Sequence, residues 1–158
     1  MMRRERREHY GQLAYRVGAI STILVIVGGT LLVGSSFFTW SRESQVRELD
    51  GLGIDGFVLR GPAVYTLAAG MISVAVGLIG LRWTLVSGLA VLPGLGALYI
   101  TLFYTRFIWD EARGYEPGQA APRPSAALIV GMCASVLVTA ASTLSISGAL
   151  VGKVFVRD

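Results

Sequence analysis

The chain has 158 residues, 53% of them hydrophobic and 15% charged, with a formal net charge of +4 and a mean hydropathy of +0.61. Those proportions belong to the membrane class. They exclude a separate soluble domain, because the longest pieces between the uncharged stretches, 42–60 and 106–123, are too short to bury a core. A single cysteine, Cys133, and a single histidine, His9, exclude an intramolecular disulfide and a Cys/His metal site within the chain.

The N-terminal tail carries Arg3, Arg4, Arg6, Arg7 and Arg16 against Glu5 and Glu8. Such a tail suits anionic lipid headgroups, at about 1 kcal/mol per basic residue near the surface. The interleaved glutamates and the adjacent apolar run speak against nucleic acid, and no nucleic-acid partner is expected. Residues 17–41 are uncharged. The apolar run is too long for a signal-peptide core of roughly 7–15 residues, and Phe37, Phe38 and Trp40 stand where a small-residue cleavage site would lie. The expectation is an uncleaved first span over 17–39.

The loop that follows repeats a short pattern, Leu49-Asp50-Gly51-Leu52 and Ile54-Asp55-Gly56-Phe57. Asp-Gly favours tight turns, since Gly tolerates positive φ and Asp bonds its own backbone. Short extended segments capping the helix ends are expected. The aspartates lack the alternating oxygen ligands and distal Glu of a calcium loop.

Three further uncharged stretches, 61–81, 83–105 and 124–152, complete the set. Each reaches the roughly 20 apolar residues that a transmembrane helix needs. The sequence therefore predicts an all-α integral membrane protein. It is a four-helix bundle with spans at 17–39, 62–81, 84–105 and 125–149 and a short extracytoplasmic loop cap. Residues 1–158 form one membrane domain. Only Arg82 and Trp83 separate the second and third spans, which forces an antiparallel hairpin.

Small residues recur in these spans at steps of three and four. In the second they are Thr66, Gly70, Ser73, Gly77 and Gly80; in the third, Ala90, Gly94, Ala97 and Thr101. In the fourth they are Ala127, Gly131, Ala134, Ala141, Ser145, Gly148 and Gly152, with Val138 filling one step. Lipid is as apolar as leucine, so helices associate in it through close backbone approach, which small side chains permit. The alternation of three and four suits left-handed, near-parallel packing. The hydroxyls of Thr66, Ser73, Thr101, Ser135 and Thr139 are expected to bond across helices. Pro93, followed by Gly94 and Gly96, predicts a kink near the middle of the third span. Pro124 suits the first turn of the fourth. Trp40, Trp83 and Trp109 fall at span ends, where an apolar ring with a polar N–H serves as an interfacial anchor.

Basic residues favour the N-terminal tail, the Arg82 link and the C-terminal tail over the two longer loops. The positive-inside rule then puts both termini in the cytoplasm. No Asp, Glu, Lys, Arg or His lies within the four uncharged runs. Ion-coupled carriers usually keep such a group in the membrane. The loops hold no Ser/His/Asp or Cys/His set and no phosphate-binding loop. Catalytic, cofactor-binding and metal-ligating residues are therefore all expected to be none, and no cofactor is expected. The expected partners are the lipid bilayer and other membrane-protein subunits or further copies of the chain.

The run Phe38-Thr39-Trp40, the loop ending Asp55-Gly56 and Gly61 leading into a glycine-rich second span resemble the small four-span membrane proteins of actinobacteria. The resemblance implies a multi-pass protein of the bacterial plasma membrane. The expected function is that of a non-enzymatic structural or accessory subunit, or an assembly partner, of a larger envelope complex. The alternative is a small oligomeric transporter or channel without a membrane-buried charge.

Overall fold

The computed structural model describes residues 2–38, 40–42, 62–116 and 121–156. Its helices, in chain order, are α1 (Met2–Ser36), α2 (Pro62–Gly80), a short α3 (Thr84–Ser87), α4 (Val91–Ala112) and α5 (Ala126–Val156). A 3-10 turn, Gly88–Ala90, joins α3 to α4 without leaving the right-handed helical region. Four helices are thus long and apolar enough to cross a membrane, over Tyr15–Ser36, Pro62–Gly80, Thr84–Ala112 and Ala126–Leu150.

α1 packs most extensively on α5 and next on α2, while α4 packs on α5 and α2. The order around the bundle is therefore α1, α2, α4, α5. One end of the bundle gathers the C-termini of α1 and α4 and the N-termini of α2 and α5; it is called the loop end below. The other carries the turn between α2 and α3 and is called the hairpin end.

Each boundary has a local cause. α2 opens on Pro62, whose missing N–H is one a helix start leaves unpaired anyway. It closes at Gly80, where a Cβ would lie 2.7 Å from the Ser87 Cβ, so the hairpin needs glycine there for its two arms to meet. The link runs Leu81 to Trp83 and is tied back by Arg82 and Trp83 N–H groups donating to the Ile79 carbonyl at 3.0 and 3.2 Å. α5 starts after Ser125, whose Oγ accepts from the Leu128 N–H at 3.3 Å as an N-cap.

Pro93 lies in the first half of the third span, Thr84–Ala112. It is the third residue of α4, and the chain tightens just before it, with the Val91 N–H donating to the Gly88 carbonyl. Proline has no N–H for the Leu89 carbonyl and its ring crowds that oxygen, and the turn before it is the tighter 3-10 kind. Pro124 lies before α5 rather than in its first turn. With Arg123 it forms a two-residue antiparallel pair against Ser41 and Arg42, in the register Ser41↔Pro124 and Arg42↔Arg123. This rung joins the chain after α1 to the chain before α5. The paired Asp-Gly turns at 50–51 and 55–56 lie outside the described residues.

α1 stops at Ser36 rather than at 39, and α4 runs past 105 to Ala112. The extension of α4 carries Arg106 and Asp110, whose side chains are 85% and 53% exposed and 3.7 Å apart. Asp110 also meets Arg113 at 3.3 Å. Such exposed pairs contribute little to stability. Their meaning is positional: the last turns of α4 carry charge on the outside beside the exposed Phe107 and Trp109, unlike the turns before them.

Candidate functional site

No cluster of three or more His, Cys, Asp or Glu side chains occurs among the described residues. What the sequence builds instead is a seam of small residues through the bundle. Thr66, Gly70, Ser73, Gly77 and Gly80 are all buried on α2. Ala90, Gly94, Ala97 and Thr101 are buried along the third span. On α5, Gly131, Ala134, Val138, Ala141 and Ser145 are buried, while Ala127 and Gly148 are half-buried.

The same pattern runs along α1, where sequence reasoning did not single it out. Gly18, Ser21, Thr22, Val25, Gly28, Gly29, Leu32, Ser35 and Ser36 are buried there, again at steps of three and four. The signal was present, but Val25 and Leu32 interrupt the run of small residues. The two adjacent glycines serve different neighbours. A Cβ on Gly29 would lie 3.0 Å from the Gly70 carbonyl oxygen, and one on Gly70 would lie 2.8 Å from the Gly29 carbonyl oxygen. α1 and α2 therefore touch backbone to backbone at that point. A Cβ on Gly28 would instead meet Val138 Cγ2 at 2.7 Å and the Ala134 carbonyl oxygen at 3.2 Å on α5.

Buried hydroxyls knit the helices at both ends. At the hairpin end one donor order satisfies a chain of three. Thr22 donates to Ser87 Oγ (3.2 Å), Ser87 to Ser145 Oγ (2.7 Å), and Ser145 to the Thr84 carbonyl (2.7 Å). This relay joins α1, α3 and α5. At the loop end the Ser36 and Thr66 hydroxyls lie 3.0 Å apart, joining α1 to α2.

Of the five hydroxyls expected to bond across helices, Thr66 does so. Ser73, Thr101, Ser135 and Thr139 bond back to carbonyls of their own helices, those of Ala69, Ala97, Met132 and Ser135 respectively. A hydroxyl in a helix always has the carbonyl three or four residues back within reach. A cross-helix bond needs the opposite backbone close as well as a facing hydroxyl, and spacing along one helix does not reveal that.

Trp83 and Trp109 are 63% and 59% exposed. Trp40 departs from the expected anchor: it is fully buried. Its indole N–H donates to the Ser35 carbonyl at 3.1 Å. Its ring meets Tyr104 edge to face, with centroids 6.0 Å apart and planes at 74°. Ala63, Ile108 and Leu128 complete a small core around it, with one residue from each of α2, α4 and α5. The Trp40 carbonyl accepts from the Ser125 N–H at 2.9 Å. Trp40 thus plugs the loop end instead of lying at its rim. The Ser41–Arg42 rung and the Ser125 bond tie Trp40 across the bundle.

Between α1 and α5 at this end lies an open groove of ≈ 470 Å³, lined by Leu31, Gly34, Phe38, Ala126, Ala127 and Val130 among others. Cys133, exposed, sits farther along α5. Comparison of the chain with protein-family models, with curated proteins and with solved structures finds no match.

Proposed function

We propose that this chain is a non-enzymatic multi-pass protein of the bacterial plasma membrane. In this reading it serves as a structural or accessory subunit, or an assembly partner, of a larger envelope complex. The observation that carries the membrane part is the contrast between inside and outside. Glycine, alanine, serine and threonine dominate the interior, while Leu92, Tyr99, Met71, Tyr65 and Leu89 stand more than half exposed on the outer surface. In water that inversion would be an aggregation surface; in lipid it is the ordinary arrangement. The resemblance to small four-span actinobacterial proteins and the arginine-rich N-terminal tail support the plasma membrane, with both termini in the cytoplasm.

The accessory role is supported by how the interior is used. Its hydroxyls are turned to one another and to carbonyls, and the space beside its buried glycines is filled by neighbouring side chains and backbone. The alternative is a small oligomeric transporter or channel, for which Pro93 and the tightened turn before it are the structural basis. Reconstitution of the purified protein into liposomes separates the two. No saturable ion or proton flux above empty vesicles is expected. A saturable flux abolished by Pro93→Ala would replace the accessory reading with the transporter. Purification in mild detergent, with the mass of the native assembly measured, is expected to give a complex larger than the chain alone.

A further inference from the structure

We propose that α5 imposes the 3-10 turn on the third span: docking of α5 converts a continuous α-helix over Thr84–Ala112 into the two segments that Gly88–Ala90 joins. This conformational device lies beyond the accessory reading and does not depend on it.

Three observations carry it. First, the turn departs from α geometry inside a helix. ψ is −22° at Ser87, −26° at Gly88 and −7° at Ala90, against about −42° in an α-helix. The Gly88 N–H donates to the Leu85 carbonyl, three residues back; an α-helix would give it the Thr84 carbonyl. Hydrogen bonds in a 3-10 turn are poorly aligned, so the turn needs support from outside itself. Pro93 denies an N–H to the Leu89 carbonyl, four residues before it, and does not reach Thr84.

Second, the Thr84 carbonyl has a donor from across the bundle. Ser87 Oγ lies 2.6 Å from it, but that local contact alone does not disturb a helix, since Ser135 makes the same contact with the Met132 carbonyl inside α5. What the third span adds is the Ser145 hydroxyl, donated from α5 at 2.7 Å. Both serines are buried. The carbonyl is thus satisfied by α5, and the Gly88 N–H turns to Leu85. Third, α5 presses on the turn where a side chain is missing. A Cβ on Gly88 would lie 2.5 Å from Cγ1 of Ile146, the residue after Ser145.

Before α5 docks, the Thr84 carbonyl lacks that donor, and lipid supplies none. The Gly88 N–H is the backbone donor in reach, and the turn closes as α. Converting three residues from about 120° to about 100° of rotation each turns the segment before them by about 60°. Arg82 and Trp83 lead that segment, so docking of α5 re-aims the hairpin between α2 and α3.

The test uses the full-length protein in lipid bilayers. Solid-state NMR measures ψ at Ser87 and Gly88 and the separation of the Thr84 carbonyl carbon from the Gly88 nitrogen. Wild type is expected to give ψ near −22° and −26°. Ser145→Ala is expected to move both to about −42° and to shorten the carbon–nitrogen separation, with helix content unchanged. Ser147→Ala, whose hydroxyl is exposed and bonds the Thr143 carbonyl of its own helix, is expected to leave the turn as it is. Ser145→Cys, similar in volume and a weak donor, replaces the alanine if that variant fails to fold. Unchanged angles in the Ser145 variants overturn the proposal. So does a Pro93→Ala protein in which the turn straightens with Ser145 intact, since the proline and not α5 would then set it. Shifts spread evenly over α1, α4 and α5 overturn it too, because they report loosened packing and not a change at one turn.

Discussion

At the scale of single residues, glycines in equivalent helical settings have opposite roles. Gly70 meets the Gly29 backbone, so Gly70→Ala is expected to force α1 and α2 apart and to cost about 1–3 kcal/mol, the usual price of overpacking. Gly96 lies inside α4 with nothing within 4 Å of a Cβ. Gly96→Ala is expected to be neutral or to stabilise by up to about 1 kcal/mol through helix propensity. Unfolding of both variants in one detergent, by denaturant titration or melting, measures the contrast; equal losses would mean the Gly29–Gly70 contact is not specific. Trp40 offers a second residue-scale prediction. In a Trp83→Phe, Trp109→Phe background its emission is expected to be blue-shifted and resistant to an aqueous quencher, since the ring is fully buried. Trp40→Ala is expected to destabilise by about 3–5 kcal/mol.

At the scale of elements, the hydroxyl contacts that join helices are open to double-mutant cycles. Ser36→Ala and Thr66→Ala, each removing one side of the 3.0 Å contact, are expected to show a coupling of about 0.6 kcal/mol. Ser73→Ala, whose hydroxyl stays on its own helix, is expected to show no coupling with Ser36→Ala. These elements also show what the chain discloses before folding and what it does not. The helices were legible because uninterrupted apolar length is a one-dimensional property, and the α2 seam because its small residues recur without a gap. The α1 seam was harder to see, since Val25 and Leu32 occupy two of its positions. The inward turn of Trp40 was not legible at all. It depends on the pairing of Ser41 with Pro124, residues far apart in the chain, and a tryptophan at a span end looks the same whether it faces in or out. The groove at Gly34 was hidden for a related reason: an open glycine and a packed one are the same letter.

At the scale of the whole molecule, the proposed orientation makes the N-terminal tail inaccessible from outside the cell and the first loop accessible. In a Cys133→Ser background, cysteine at Ser44 is expected to react with an impermeant thiol reagent in intact cells, and cysteine at Gln12 only after lysis. The reverse pattern would invert the topology. The division of labour between Gly28 and Gly29 has a further consequence, for the way the chain is made. α1 and α2 leave the ribosome early and can settle against each other through Gly29 and Gly70. The other side of α1, with Gly28 at its centre, belongs to α5, the last of the described helices to be synthesised. Throughout elongation that side has no mate within the chain, and the most extensive pairing in the bundle is also the one between its most distant helices. A nascent chain that stalls before Ala126 would present a bare small-residue cleft to its surroundings. Insertion chaperones and membrane proteases would thus meet α1 half-dressed, and the arrival of α5 is the event that removes it from their reach.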